Sequence, residues 1–184
     1  MSNRWKLKYE AKRWRIHNQK GKDLSYHPNS GIRILVEDGY AFKDVNRNGE
    51  IDPFEDWRLP MKRRIQDFTE RYQLISKGKR IYYKQGFAEL PQDLLTQLQE
   101  SEQVQALMEE DRAFFQEHAA LTVLLLLFDQ DDSVFTGDYI IQLFIDSLDM
   151  GVLDKVFYTI KKAFLNYVLQ NRYDEQKNAL SMTS

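Results

Sequence analysis

The feature that most constrains this chain is a twelve-residue stretch, Asp44-Val-Asn46-Arg-Asn48-Gly49-Glu50-Ile51-Asp52-Pro-Phe-Glu55. Oxygen-bearing side chains stand at its positions one, three, five, nine and twelve, and glycine stands at position six. That alternation is the pattern of an EF-hand-like calcium loop, in which the chain wraps six to eight oxygens around one cation. Asp44, Asn46, Asn48, Asp52 and Glu55 would supply side-chain oxygens. Glu50 would supply its backbone carbonyl, and Ile51 is the apolar anchor. With average residue usage, the five most constrained positions would match by chance in roughly 10⁻⁶ of windows. The expected cofactor is therefore Ca²⁺ in a structural role. The competing reading is a loop that keeps the turn chemistry and is held by its own hydrogen bonds. The incoming segment reads as a strand and no second loop exists, so a paired helix–loop–helix sensor is not expected. Asp129-Gln-Asp131-Asp132-Ser133 lacks the glycine and the closing glutamate.

The segments around this loop carry turn and helix signals. His27-Pro28-Asn29-Ser30-Gly31 is a turn cluster. Ile32–Val36 and Tyr40–Phe42 flank Asp38-Gly39 and predict a β-hairpin. Pro60 suits the first turn of a helix, and Met61, Ile65, Phe68, Tyr72 and Ile75 recur on one helical face. Lys77-Gly78-Lys79 should stop that helix, and Ile81-Tyr82-Tyr83 reads as a short extended piece. Residues 1–23 hold no breaker before Gly21 and are expected to form a helix.

From Pro91 onward the chain reads as helices. Leu94, Leu95 and Leu98 mark the first. Val104, Leu107, Met108, Phe114 and Phe115 mark a second, running toward Leu121–Phe128. That block is apolar all round and predicts a buried central helix. Asp129–Ser133 is expected to be a loop. Tyr139–Leu148 and the stripe Leu153, Val156, Phe157, Ile160, Phe164, Leu165 and Val168 predict two more helices. The fold class expected is α+β and mostly helical, with an N-terminal β-hairpin, the EF-hand-like loop and a C-terminal helical bundle. The division expected is a basic region at 1–84 and an acidic helical domain at 85–184.

Charge supports that division. The 184 residues carry a formal net charge of −2. Positions 1–84 hold 20 basic and 11 acidic residues, and positions 85–184 hold 6 and 17. Two basic groups stand out: Arg4, Lys6, Lys8, Lys12, Arg13 and Arg15, interleaved with Trp5, Tyr9 and Trp14, and then Lys62, Arg63, Arg64, Lys79 and Arg80. Such clusters bind phosphate backbones, and interleaved aromatics stack on bases. The alternatives are a solvated face and a basic front docked on the acidic back. The acidic back could instead mimic phosphates toward a basic partner.

Several chemistries are excluded or lack a motif. Without cysteine there are no disulfides, thiolate catalysis or Cys-ligated metals. His17, His27 and His118 share no zinc-site spacing. No phosphate loop, nucleophile elbow or dinucleotide fingerprint appears. The N-terminus has no apolar signal core and the longest apolar stretch is about half a membrane span. A cytoplasmic protein without a membrane partner is expected.

Gly39-Tyr-Ala-Phe-Lys-Asp-Val-Asn-Arg-Asn-Gly-Glu-Ile-Asp-Pro-Phe-Glu-Asp-Trp-Arg-Leu-Pro60 resembles the N-terminal lead-in of bacterial glycoside hydrolase family 3 β-glucosidases. There an FKDxNxNGxxDPYEDWRLP stretch precedes the first barrel elements. Met61-Lys-Arg-Arg-Ile-Gln-Asp-Phe68 is similar to their first helix. The resemblance covers residues 31–75. That family's (β/α)₈ barrel needs about 250 residues, whereas 76–184 read as helices, and the family's segment bearing its carboxylate nucleophile has no counterpart. The resemblance thus implies a shared structural module rather than a glycosidase, and no catalytic residue carries over. It carries over the loop Asp44–Glu55, with Trp57 and Leu59 as packing residues. The function expected is a non-catalytic binding or inhibitor protein, not an enzyme, acting on another protein or a ribonucleoprotein. The alternatives are a phage or mobile-element inhibitor of a nucleic-acid enzyme (anti-CRISPR-like), a direct nucleic-acid binder, and an accessory or truncated relative of a glycoside hydrolase.

Overall fold

The computed structural model describes residues 2–26, 28, 31–83, 86–89 and 92–129. Strands β1 (Trp5–Glu10) and β2 (Arg13–Asn18) pair antiparallel, from Trp5 opposite Asn18 to Glu10 opposite Arg13. The helix expected over residues 1–23 is therefore a hairpin. The physical reason is the alternation Trp-Lys-Leu-Lys-Tyr-Glu, which places aromatic and aliphatic groups on one face of a strand and charges on the other. The turn carries no glycine. Ala11 and Lys12 take φ of 53° and 63°, a left-handed conformation that L-residues adopt at a cost of roughly 1–2 kcal/mol each. A third strand, β3 (Leu24–Tyr26), pairs with β2 and completes the sheet.

The hairpin expected around Asp38-Gly39 is present as β4 (Arg33–Glu37) and β5 (Tyr40–Asp44). Asp38 and Gly39 have φ of 54° and 82°, the pair of positive values that a two-residue turn needs to follow the strand twist. β5 feeds the loop directly. A 3₁₀ turn at Pro53–Glu55 closes the loop, and α1 (Met61–Arg71) follows Pro60. α1 stops where Gln73 takes φ of 53° and the Leu74 amide reaches back to the Thr69 carbonyl at 2.9 Å. Ile75, expected on the helical stripe, lies instead on β6 (Ile75–Lys77), 60 % exposed.

β6 pairs with β7 (Arg80–Tyr83), and β7 with β8 (Gly86–Glu89). Lys77-Gly78-Lys79 is thus the turn of a hairpin rather than a helix stop. Gly78 takes φ of 59°. Its amide donates to the Glu117 carbonyl at 2.6 Å and its carbonyl accepts from Ala120 at 3.1 Å, which ties this sheet to the helical part.

Four helices follow: α2 (Gln92–Gln99), α3 (Glu102–Glu110), α4 (Arg112–Glu117) and α5 (Ala119–Asp129). The long second helix expected from Val104 onward is broken at Asp111, whose carboxylate accepts from the Phe114 amide and caps α4. Ser101 caps α3 the same way. α5 is the buried helix that its all-apolar sequence predicts. Leu121, Leu124 and Leu125 are fully buried, and each such side chain stabilises the fold by roughly 1.5–3 kcal/mol over exposure.

The mostly helical bundle with a single hairpin is overturned. The described residues form three small antiparallel sheets of three, two and three strands beside five α-helices. The helices expected at Tyr139–Leu148 and along Leu153–Val168 lie outside the described residues. One buried cluster joins Val45, Phe54, Ile65 and Phe68 from the front of the chain to Val104, Phe115, Leu124 and Phe128 from the back. A smaller one packs Ile16, Leu24 and Ala41 with Trp5, Ile34 and Trp57.

Candidate functional site

The loop begins where β5 ends inside the protein, so its first ligand position is buried by construction. Asp44 is completely buried. Its Oδ2 accepts from the Gly49 amide at 2.9 Å, a contact that needs the sharp bend Gly49 makes at φ 78°. Asn46 Nδ2 and Asn48 Nδ2 donate to the same oxygen, Asp52 Oδ2, at 2.6 and 2.8 Å. Asn48 Oδ1 accepts from the Glu50 amide at 2.9 Å. Glu50 and Asn48 are exposed, and Asp52 and Glu55 are buried.

Glu55 closes the loop on its own backbone. Its Oε1 accepts from the Val45 amide at 2.8 Å and the Asn46 amide at 3.4 Å, and Oε2 from the Asp52 amide at 3.2 Å. Burial pushes this carboxyl up to about 8, against the three backbone amides that hold it down. Helix α1 grips the same loop from outside. Asp67 accepts from the Phe54 amide at 3.1 Å, and Arg71 bridges Asp67 and Asp52 at 3.3 and 3.1 Å. All six residues expected at the metal position therefore belong to one closed turn. Among the described residues, no three Asp, Glu or His side chains approach closely enough to hold a metal unaided.

The lead-in residues after the loop pack as the resemblance implies for Trp57. Its ring stacks on Phe42 at 5.3 Å and its Nε1 donates to the Ala41 carbonyl at 3.0 Å. Leu59 is half-buried. Arg58, which opens the second basic stretch, gathers Asp56, Asp38 and Glu37 around one guanidinium. The side-chain bond to Asp56 leads in raising its pKa.

The basic residues fall into distinct environments. Arg4, Lys6, Lys8 and Lys12 are exposed on or beside the β1–β2 hairpin, and Arg15 is half-buried there. Lys8 lies 4.0 Å from Glu10, and Arg4 lies over the Tyr40 ring. Arg13 is 2 % exposed and withdrawn from the surface. On α1, Arg63 is exposed, whereas Lys62 is held by Asp111 at 2.8 Å. Lys79 and Arg80 share Glu89 at 3.3 and 3.0 Å.

Arg64, expected to bind a partner, is instead internal at 2 % exposure. Its guanidinium meets Asp129 at 2.5 and 2.8 Å and the Phe54 carbonyl at 3.1 and 3.0 Å. Asp129, expected in a loop, is the last residue of α5. Lys22 also reaches it at 3.0 Å, and Lys43 donates to the neighbouring Phe128 carbonyl at 2.6 Å. The basic front and the acidic back thus meet through this buried cluster, through Lys62–Asp111 and through Lys79 and Arg80 on Glu89.

Burial opposes the charge on Asp129, but Arg64 and then Lys22 overcome it and hold the carboxyl down at about 2. Its ordinary value is 3.8. The ionised group therefore stabilises the fold fully above about pH 4 and that contribution is lost as pH falls through 2. The loss expected is about 2 kcal/mol, from the free energy equivalent of such a shift. Comparing denaturant melts of the parent and Asp129→Asn between pH 2 and 5 checks this. The variant should start less stable and lose less over that interval. Parallel curves would refute the coupling.

A segment of the sequence has a relative. The chain is 43 % identical over 48 residues to a periplasmic beta-glucosidase/beta-xylosidase of Dickeya chrysanthemi. The match takes in 26 % of this chain and only 7 % of that enzyme. The partial resemblance to β-glucosidases is therefore real, and it is confined to a segment. No family profile matches the chain, and no solved structure matches it. No described helix is long and apolar enough to cross a membrane.

Proposed function

We propose that the chain is a non-catalytic binding protein acting through protein–protein contacts, its partner a charged macromolecule or a ribonucleoprotein. The observation that carries this reading is the register of the N-terminal hairpin. Lys6 stands opposite His17, and Lys8 opposite Arg15. Two-residue alternation puts Lys6 and Lys8 on the same face of β1, both exposed, where an anionic partner laid across them would meet both charges. On the opposite face of β1, Leu7 and Tyr9 are 40 % and 53 % exposed. An open groove of about 420 Å³ runs past Lys6, Lys8, Arg15 and His17, and is lined as well by Glu10 and by Asp23, which holds His17 at 2.7 Å. Occlusion of the partner, steric and electrostatic, is the mechanism in this reading.

Capture of partners from the native host, with wild type and a Lys6→Glu/Lys8→Glu variant as bait, tests it. The partner should be retained by the wild type and lost by the variant. If the partner carries nucleic acid, three phosphate contacts predict an affinity drop of about 40-fold between 50 and 200 mM salt. Equal capture by both baits would overturn the assignment. This reading also places the chain in the cytoplasm, which fractionation of the host checks.

A second reading is favoured by the match to the beta-glucosidase/beta-xylosidase: an accessory or truncated relative that docks on a glycosidase chain. Co-purification with such an enzyme, insensitive to the hairpin variant, would select it over the first.

A further inference from the structure

The loop Asp44–Glu55 contains a buried carboxylate oxygen with no hydrogen-bond partner. Asp44 is completely buried. Its Oδ2 is fixed by the Gly49 amide, which turns the carboxylate into the loop. Its Oδ1 is inaccessible and unpartnered. Buried polar atoms in native proteins are overwhelmingly satisfied, and one that is not calls for a specific reason such as an ion. A second observation comes from the other ligand positions. The side-chain amides of Asn46 and Asn48 converge on Asp52 Oδ2, at 2.6 and 2.8 Å. Loop positions three, five and nine thus meet at one point.

An amide turned by half a revolution presents its oxygen where its NH₂ had been. Both asparagines can therefore exchange donation to Asp52 for donation of electron pairs to a cation at that point. Asp44, Asp52 and Glu55 are 0 %, 4 % and 2 % exposed. Arg71 reaches only one oxygen of this set within salt-bridge distance, Asp52 Oδ1 at 3.1 Å.

We propose that this loop is a divalent-cation site that prefers Ca²⁺ to Mg²⁺. Its ligands are Asp44 Oδ1, the Oδ1 atoms of Asn46 and Asn48, the Glu50 backbone carbonyl and Asp52 Oδ2, with Glu55 as the closing carboxylate. Calcium takes six to eight oxygens in flexible geometry, whereas magnesium demands a small octahedron and keeps its waters. The carboxylates need the amides and the carbonyl to complete the shell. Few charged ligands place the affinity in the weak range, on the order of 10⁻⁴ M. The assignment is independent of the partner surface on the hairpin.

The full chain, stripped with chelator, is titrated with CaCl₂ and separately with MgCl₂ by calorimetry and thermal melting. One saturable calcium site is expected, with a melting temperature about 7 °C higher at 100-fold excess over Kd and a smaller response to magnesium. Terbium supplies an optical readout, because Tyr72 packs edge-on against Phe54 of the loop, ring centroids 6.1 Å apart, and can sensitise a lanthanide bound there. Calcium should displace that signal. Asn48 is exposed, so Asn48→Ala should fold and bind at least about tenfold more weakly, while Asn48→Asp should bind more tightly as ligand charge rises. No heat, no shift in melting temperature and no calcium-displaceable terbium signal would overturn the site. Binding unchanged in Asn48→Ala and in Asp44→Asn would overturn the ligand assignment.

Discussion

Replacing Arg64 with alanine is expected to cost roughly 3–5 kcal/mol, the range for stranding one member of a buried ion pair. Arg64 and Asp129 are 2 % and 4 % exposed, so water cannot take the place of the lost partner. The same guanidinium makes two bonds to the Phe54 carbonyl, and that acceptor would be stranded too. Lys22 remains on Asp129, but its side chain is 40 % exposed. Removing it instead should cost less, on the order of 1 kcal/mol, because the lysine end of the pair reaches solvent and Arg64 stays on the carboxylate. Removing both buried charges together, as Arg64→Met with Asp129→Leu, should recover most of the stability, because apolar replacement of a buried pair is often neutral or better. Denaturant melts of the three variants check the pattern. A loss below about 1 kcal/mol for Arg64→Ala would show that the pair contributes little more than a surface bridge.

Phe54→Ala is expected to cost a similar amount, roughly 3–5 kcal/mol, with the midpoint lowered and the denaturant slope unchanged. Phe54 occupies position eleven of the loop and is completely buried. Its ring lies 5.2 Å from Phe68, 6.1 Å from Tyr72 and 6.5 Å from Phe128. It therefore links the loop to α1 and α5 at once. Phe54→Leu keeps most of that volume and should cost under about 1.5 kcal/mol. Equal losses in the two variants would mean that the ring's size is not what the site requires.

Legibility of the fold tracked turn chemistry. Asp38-Gly39 announced its hairpin because aspartate and glycine tolerate the left-handed backbone. Ala11-Lys12 makes the same kind of turn without a permissive residue, and only the strict alternation of residues 5–10 signalled it. Gly78 reads as the stop of a helix that in fact ends at Arg71, because a glycine says only that the chain bends. Its exchange of hydrogen bonds with Glu117 and Ala120 decided that it bends into a sheet. Ile75 kept helical spacing, yet the helix ended at Arg71 once Gln73 turned left-handed.

The candidate site was legible to a greater depth, because its ligand spacing is local. Asp44 to Glu55 close on themselves through bonds spanning ten residues or fewer. The clamp from Asp67 and Arg71 was not legible, because it depends on how α1 turns back over the loop. Of the basic residues, sequence identified charge but not exposure. Arg13 and Arg64 are buried, and Lys79 and Arg80 are shared with Glu89.

The sequence by itself determined the loop, the Asp38-Gly39 hairpin and the burial of α5, each a matter of neighbouring residues and their periodicity. Only the tertiary structure decided where the two charged halves meet. Arg64 and Asp129 lie 65 residues apart in the chain, and a long-range ion pair leaves no periodic trace. It forms because α1 and α5 share the core around Phe54 and Phe128, which removes water from both charges and leaves Asp129, with Lys22 beside it, as the partner of opposite sign for Arg64.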